Sequence, residues 1–318
     1  MGNFKGCERQ STLARTVTLS GTGVHTGRPS RVILRPAEAN TGIRFRRTDL
    51  TNGTRSTVVR VERRNVGSTR LCTELRNEDG VSVLTVEHLL AALGGAGVDN
   101  AEIHVSGPEV PILDGCANEF VAAVDEAGVV DLDRERGYIR VLKPVSLKID
   151  TAEAGFLPDE GCVIEARIDF PHPAIGCQKF VYRASPEAFR HAVAPARTFG
   201  FLAQARELRS QGFGLGASLD NTVVLDDRGV MNHGGLRFAD EFVRHKTLDA
   251  CGDLLIAGMP IIGRFWSMRG GHQLNHAALN SLLSQPAAWE RVTLTDRETA
   301  TFQPEHPIEI GAGLTMPG

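Results

Sequence analysis

The sequence predicts an α+β fold assembled from two copies of one α/β unit, and three observations predict it. The opening part of the chain is a succession of β-rich runs separated by glycines. Residues 85–128 and 242–285 then both run helix, Gly, strand, glycine-containing loop, helix. Both segments, with only slight identity, place a histidine in the opening turns of their first helix, His88 and His245. This is a weak internal repeat. Two such units packed together would bury helices between sheets and bring the two histidines to their interface.

The elements follow in order. "RTVTLSGTGVHTGRPSRVILRPA" has two β-rich runs about a Gly-rich centre, a hairpin pattern, and "TGIRFRRTDL" and "STVVRVERRNV" continue it. "SVLTVEHLLAALGGAG" switches to helical spacing and stops at glycines. "NAEIHVSG" reads as a strand and "ANEFVAAVDEAG" as a helix ending at Gly128. The charged stretch "VDLDRERG" marks a domain boundary, giving residues 1–133, 134–296 and a loosely attached tail at 297–318. Strands resume with "YIRVLKPVSLKI" and "CVIEARIDF", followed by a helical "SPEAFRHAV". "FGFLAQARELRSQGFGLGAS" is a short helix closed by glycines and Ser218. "ADEFVRHKTLDACGDLLIAG" is a long helix running to Gly258, "IIGRFWSM" a strand and "HQLNHAALNSLLSQ" a helix.

Composition narrows the function classes. The 318 residues are 42% hydrophobic and 23% charged with a net charge of -3, ordinary for a globular protein. No basic block favours nucleic acid or an anionic membrane as partner. The six cysteines include no C-x-x-C pair and read as reduced thiols of a cytoplasmic protein. The N-terminus has no apolar signal region, and no apolar run reaches the roughly 18 residues of a membrane span.

His245 and Asp249 stand at i and i+4 on the long helix and project from one face. That is a metal-chelating spacing, and a catalytic zinc site wants a third protein ligand. His88, in the matching position of the first unit, is the natural candidate. Glu87 precedes it and diverges by about 100°, so it can act as general base on water that a metal has acidified. His272 opens a helix after two glycines. A helix N-terminus depresses an imidazole pKa, whereas a carboxylate such as Asp253 raises it, and a protonated His272 could stabilise an oxyanion or protonate an amine. In "ARTFGF", Thr198 can hold a carbonyl oxygen while Phe199 and Phe201 line an apolar slot. Lys246 can pair with a phosphate or with an Asp.

These segments resemble the UDP-3-O-acyl-N-acetylglucosamine deacetylases, the zinc amidases of lipid A biosynthesis. The resemblance runs over residues 10 to 290 through "SGTGVHTGRPSRVILRPA", "TVEHLLAALGGAGVDNAEI", "PEVPILDGCA", "ARTFGF", "LRFADEFVRHKTLDACGDL" and "GGHQLNH". It implies two β-α-α-β domains of the ribosomal protein S5 domain 2-like type, with helices between two mostly antiparallel sheets. It implies zinc on His88, His245 and Asp249, Glu87 as general base, and His272 as general acid oriented by Asp253. Thr198 would stabilise the oxyanion, and Lys246 would lie near the substrate. Phe199, Gly200, Phe201 and Ser218 would contact the substrate, Arg269 would meet the UDP phosphates, and residues 200–220 would form the passage for the 3-O-acyl chain. Cys116 stands where the family commonly has Ser, and Pro171 where a polar residue is typical. The expected reaction frees acetate and the sugar amine in the cytoplasm, in a monomer whose partner is its substrate. Fe(II), which accepts similar ligands, is the alternative metal. The alternatives in function are a non-catalytic paralogue that binds an acylated nucleotide sugar and a zinc amidase for another N-acyl sugar.

Overall fold

The computed structural model describes residues 7–294 except 52 and 54; the tail at 297–318 lies outside the described residues. Six α-helical segments occur among those residues: α1 (Glu87–Gly95), α2 (Asn118–Ala127), α3 (Pro186–Ala188), α4 (Leu202–Ser210), α5 (Glu241–Leu255) and α6 (His272–Leu283).

The N-terminal β-rich runs pair into a five-stranded sheet in the order Val17–Thr22, Pro29–Pro36, Ala101–Val105, Ile43–Arg47, Val58–Arg60. The expected hairpin is present, with Val17 opposite Leu34. All contacts in this sheet are antiparallel except that between Ile43–Arg47 and Ala101–Val105. Alternation sorts the faces. Val32, Leu34, Phe45, Ile103 and Val105 point inward and are buried, while Arg31, Arg35 and Arg60 face out.

A seven-stranded sheet is centred on Ile261–Met268, which pairs antiparallel with Ala152–Leu157 and parallel with Cys162–Phe170 and Gly137–Val141. Three of its strands, Ala152–Leu157, Gly176–Arg183 and Trp289–Thr293, are additions to the sequence reading. The first is poor in β-branched residues, so its conformation is set by the strands beside it. The charged stretch expected as a boundary is itself a strand, Val129–Glu135, antiparallel to Arg9–Leu13. The long helix ends at Leu255 rather than Gly258.

The helices carry the two sheets onto one core. Residues 87–93 of α1 are all buried, as a helix enclosed on every side requires. α2 lies on Val17–Thr22, α5 on Cys162–Phe170 and Gly176–Arg183, and α6 on Val145–Ile149 and Ala152–Leu157. A single apolar cluster joins Phe45 and Ile103 to Leu89, Leu248, Phe265 and Leu279. Each fully buried side chain of this size stabilises the fold by about 1.5–3 kcal/mol.

The contact between α1 and α5 positions the site. A Cβ at Gly252 would stand 2.0 Å from the carbonyl oxygen of Glu87, so any side chain there would force the two helices apart. The glycine lets the start of α1 lie directly against the middle of α5, where His245 and Asp249 project.

Candidate metal centre and proton-transfer pair

His88 enters from the first turn of α1, and His245 and Asp249 from successive turns of α5. One ligand atom from each lies within 4.8 Å of the others. The Nε2 atoms of His88 and His245 stand 3.6 and 3.4 Å from Asp249 Oδ1. The longer gap exceeds hydrogen-bonding range and the shorter lies at its outer edge. These are separations of donors suited to sharing a cation. The two imidazoles meet edge to face, at 5.0 Å and 88°.

His245 Nδ1 lies 3.1 Å from the Ala196 carbonyl. That contact puts the proton on Nδ1 and leaves the Nε2 lone pair facing the centre. Burial pushes His245 down to about 3 against the pull of Asp249, so the ring is neutral at pH 7. Burial opposes ionisation of Asp249, but the Lys246 ammonium, 2.8 Å away, helps hold its carboxyl well below the usual range. His88 Nδ1 is buried without a hydrogen-bond partner, so packing and whatever Nε2 binds fix that ring. Two imidazoles and a carboxylate, all buried, match the ligand chemistry of a catalytic zinc site.

Glu87 and His272 face each other beside this centre, Oε1 to Nε2 at 3.7 Å. Burial raises the Glu87 carboxyl despite the nearby His272 and His88, making it a better base. His272 Nδ1 lies 2.8 Å from Asp253 Oδ2. Burial would lower the His272 pKa, but Asp253 and then Glu87 outweigh it and push it up to about 10. The expected carboxylate effect is therefore present and outweighs burial. At neutral pH His272 is an imidazolium, with Nδ1–H donated to Asp253 and Nε2–H directed at Glu87 and the cavity.

A pH dependence follows. A reaction that needs protonated His272 loses rate as pH rises through about 10. Asp253→Asn removes the charge that raises this group and leaves the burial that lowers it. A nearby opposite charge moves a pKa by about 1–3 units, so the alkaline limb of the kcat profile is expected to shift down by at least about one unit. An unmoved limb in Asp253→Asn would contradict this assignment.

These groups open onto a cavity of about 570 Å³ whose walls include Glu87, His88, Thr198, Phe199, Gly200 and Lys246. Thr198 is placed by its N–H to the Gly115 carbonyl. Phe199 packs edge-on against Phe242, with the Lys246 ammonium 5.5 Å from its ring. Of the two partners considered for Lys246, the structure supplies Asp249. Arg269 also lines the cavity, in left-handed backbone conformation (φ 55°) and paired with Asp169. Phe201 and Ser218 are not brought to the wall. Phe201 packs against Phe170 and His172, and the exposed Ser218 accepts from the Asp220 N–H. Within 200–220, Leu208, Phe213, Gly214 and Ala217 do line the cavity.

Sequence reasoning gave no role to several residues here. His25 reaches the cavity beneath Phe213, on a loop whose His25 and Thr26 N–H groups donate to buried Glu109. Glu109 also accepts from Thr85, which sits at φ 57°, a strained conformation for a β-branched residue, two positions before Glu87. The motif "GVHTGR" contained His25, but its spacing carries no chemical signal. Cys251 is partly buried against the core, with its thiol pushed up by burial. Cys116 is buried and its thiol donates to Asp114.

A family model described as UDP-3-O-acyl N-acetylglycosamine deacetylase matches residues 10–284. Curated UDP-3-O-acyl-N-acetylglucosamine deacetylases from Brucella ovis, Brucella abortus and Brucella melitensis are each 48% identical to the chain over 282 residues. Those alignments cover 88% of this chain and 97% of each relative.

Proposed function

The chain belongs to the UDP-3-O-acyl N-acetylglycosamine deacetylase family, and from that premise we propose how its residues carry out the reaction. The reaction is hydrolysis of the acetamide of UDP-3-O-acyl-N-acetylglucosamine to acetate and the free amine, in lipid A biosynthesis. The observation that carries the assignment of roles is the convergence of His88, His245 and Asp249 beside the Glu87–His272 pair in one cavity.

His88, His245 and Asp249 would hold the cation, and two imidazoles with one carboxylate favour Zn²⁺, with Fe²⁺ the competitor. When bound there, a divalent ion supplies Lewis acidity, polarising the acetamide carbonyl and lowering the pKa of water. Glu87 takes the proton of the attacking water. Its Oε2 is tied to the Thr73 N–H, which leaves Oε1 for that transfer. The imidazolium of His272 and the hydroxyl of Thr198 stabilise charge on the carbonyl oxygen. His272 Nε2–H then protonates the leaving amine, while Asp253 keeps Nδ1–H in place. Lys246 balances Asp249 at the edge of the substrate site. Phe199 and Gly200 contact the sugar, and Arg269 offers a forked contact to the diphosphate. Leu208, Phe213 and Ala217 give the acyl chain an apolar path. No helix among the described residues is long and apolar enough to cross a membrane. A cytoplasmic monomer acting on a diffusing nucleotide sugar is the setting we propose.

The test is acetate release from UDP-3-O-acyl-N-acetylglucosamine beside a second N-acyl sugar that lacks the nucleotide. Stoichiometric release from the first and little from the second is expected. Equal turnover of both would remove the nucleotide from the specificity.

A further inference from the structure

Thr73 is completely buried and uses its backbone and side chain on both sides of the active centre. Its N–H donates to Glu87 Oε2 at 3.0 Å. Its hydroxyl donates to Asp253 Oδ1 at 2.6 Å. The Val86 N–H, at the start of α1, points to its carbonyl at 3.4 Å. Because the hydroxyl proton goes to Asp253, the contact of His276 Nε2 with Thr73 Oγ1 at 3.1 Å is an N–H donation from the ring, which fixes the His276 tautomer.

Asp253 is consequently pinned at both oxygens. Oδ1 accepts from Thr73, with His276 Nε2 at 3.3 Å, and Oδ2 accepts from His272 Nδ1 and Asn275 Nδ2 at 2.8 Å each. His272, Asn275 and His276 all come from α6 and Asp253 from α5. Thr73 alone among these partners comes from the N-terminal part of the chain, which also supplies Glu87.

We propose that Thr73 is a positioning residue that holds the base Glu87 and the His272-orienting carboxylate Asp253 in fixed relation across the two halves of the molecule. The proposal rests on the reading of Glu87 and His272 as the proton-transfer pair. The N–H sets which Glu87 oxygen faces the cavity, and the hydroxyl stops the Asp253 carboxylate from rotating away from His272 Nδ1. Partners one step removed from a reacting or ligating group cost about 10–100-fold in activity when lost.

The experiment compares Thr73→Val, which keeps the shape and the N–H but loses the hydroxyl, with Thr73→Ser, which restores the hydroxyl. Both are measured as metal-loaded full-length protein on UDP-3-O-acyl-N-acetylglucosamine. In Thr73→Val, kcat is expected to fall by about tenfold or more, with KM, metal stoichiometry and the folded far-ultraviolet dichroism spectrum retained. The downfield Nδ1–H proton resonance of the His272–Asp253 pair should move in the valine variant and stay in place in the serine variant, whose kcat remains close to that of the unmodified protein. Unchanged kcat and resonance in Thr73→Val would overturn the proposal, as would equal losses in the serine and valine variants. Glu87→Gln and Asp253→Asn run in parallel separate the two levels. If both keep full kcat, the proton-transfer reading falls and this inference with it. If both lose kcat and Thr73→Val does not, the Thr73 assignment alone falls.

Discussion

Replacing His245 by Gln, or His88 by Gln, is expected to abolish acetate release and leave the purified protein with far less than one equivalent of bound metal. Loss of a partner of a ligand already costs about 10–100-fold in metal affinity or activity, so loss of a ligand itself should exceed that range. His245 has a built site: its Nδ1 is fixed against Ala196 and its Nε2 meets Asp249. A glutamine cannot reproduce both contacts. Asp249→Ala should be worse in a second way, because it strips the Lys246 ammonium of its 2.8 Å partner. Lys246 is half-buried at the cavity wall, so leaving its ammonium unpaired should also lower the melting temperature of this variant, whereas the histidine variants lose metal with a smaller change in melting. Elemental analysis and acetate release on the same preparations check this. Full activity in chelated protein, or in His245→Gln without metal, would sink the metal assignment.

Glu87→Gln should lower kcat by about 10²–10⁴-fold, the usual contribution of a positioned general base, with KM and metal content unchanged. The substitution is close to isosteric, and its amide oxygen can still accept the Thr73 N–H that now meets Oε2. What disappears is the basic carboxylate that burial has raised. The loss should therefore sit in kcat and persist at every pH, since glutamine has no proton to gain or lose. A variant that recovers full rate at alkaline pH would show that another group removes the proton.

Legibility differed from residue to residue for physical reasons. The pairing of His245 with Asp249 follows from helical periodicity alone, because side chains four apart share a face whatever surrounds the helix. His88 could be nominated only through the repeat register, since nothing local to "TVEHLL" indicates what its ring will meet. The link from Asp253 to His272 crosses between two helices, and the chemistry of a His beside a carboxylate made it a reasonable expectation that packing then realised at 2.8 Å. Thr73 gave no signal, because half of its role is a backbone N–H, a group every residue but proline possesses. Ser218 and Phe201 stood close in sequence to cavity residues, yet a turn and a strand face directed them elsewhere. The strand Ala152–Leu157 was equally silent, since its neighbours in the sheet create it.

Side-chain identity and short-range periodicity were enough to set the alternation of strand and helix and to put His245 and Asp249 on one face of α5. Tertiary structure alone decided which other groups meet them. The close approach of α1 and α5 at Gly252, where a Cβ would stand 2.0 Å from the Glu87 carbonyl oxygen, brings His88 to His245 and Asp249. Burial then decides protonation, since removal from water weakens ionisation of Glu87 and His245 while the buried Asp253 charge keeps His272 protonated. Distances and desolvation between segments remote in the chain are properties of packing, and local sequence does not encode them one residue at a time.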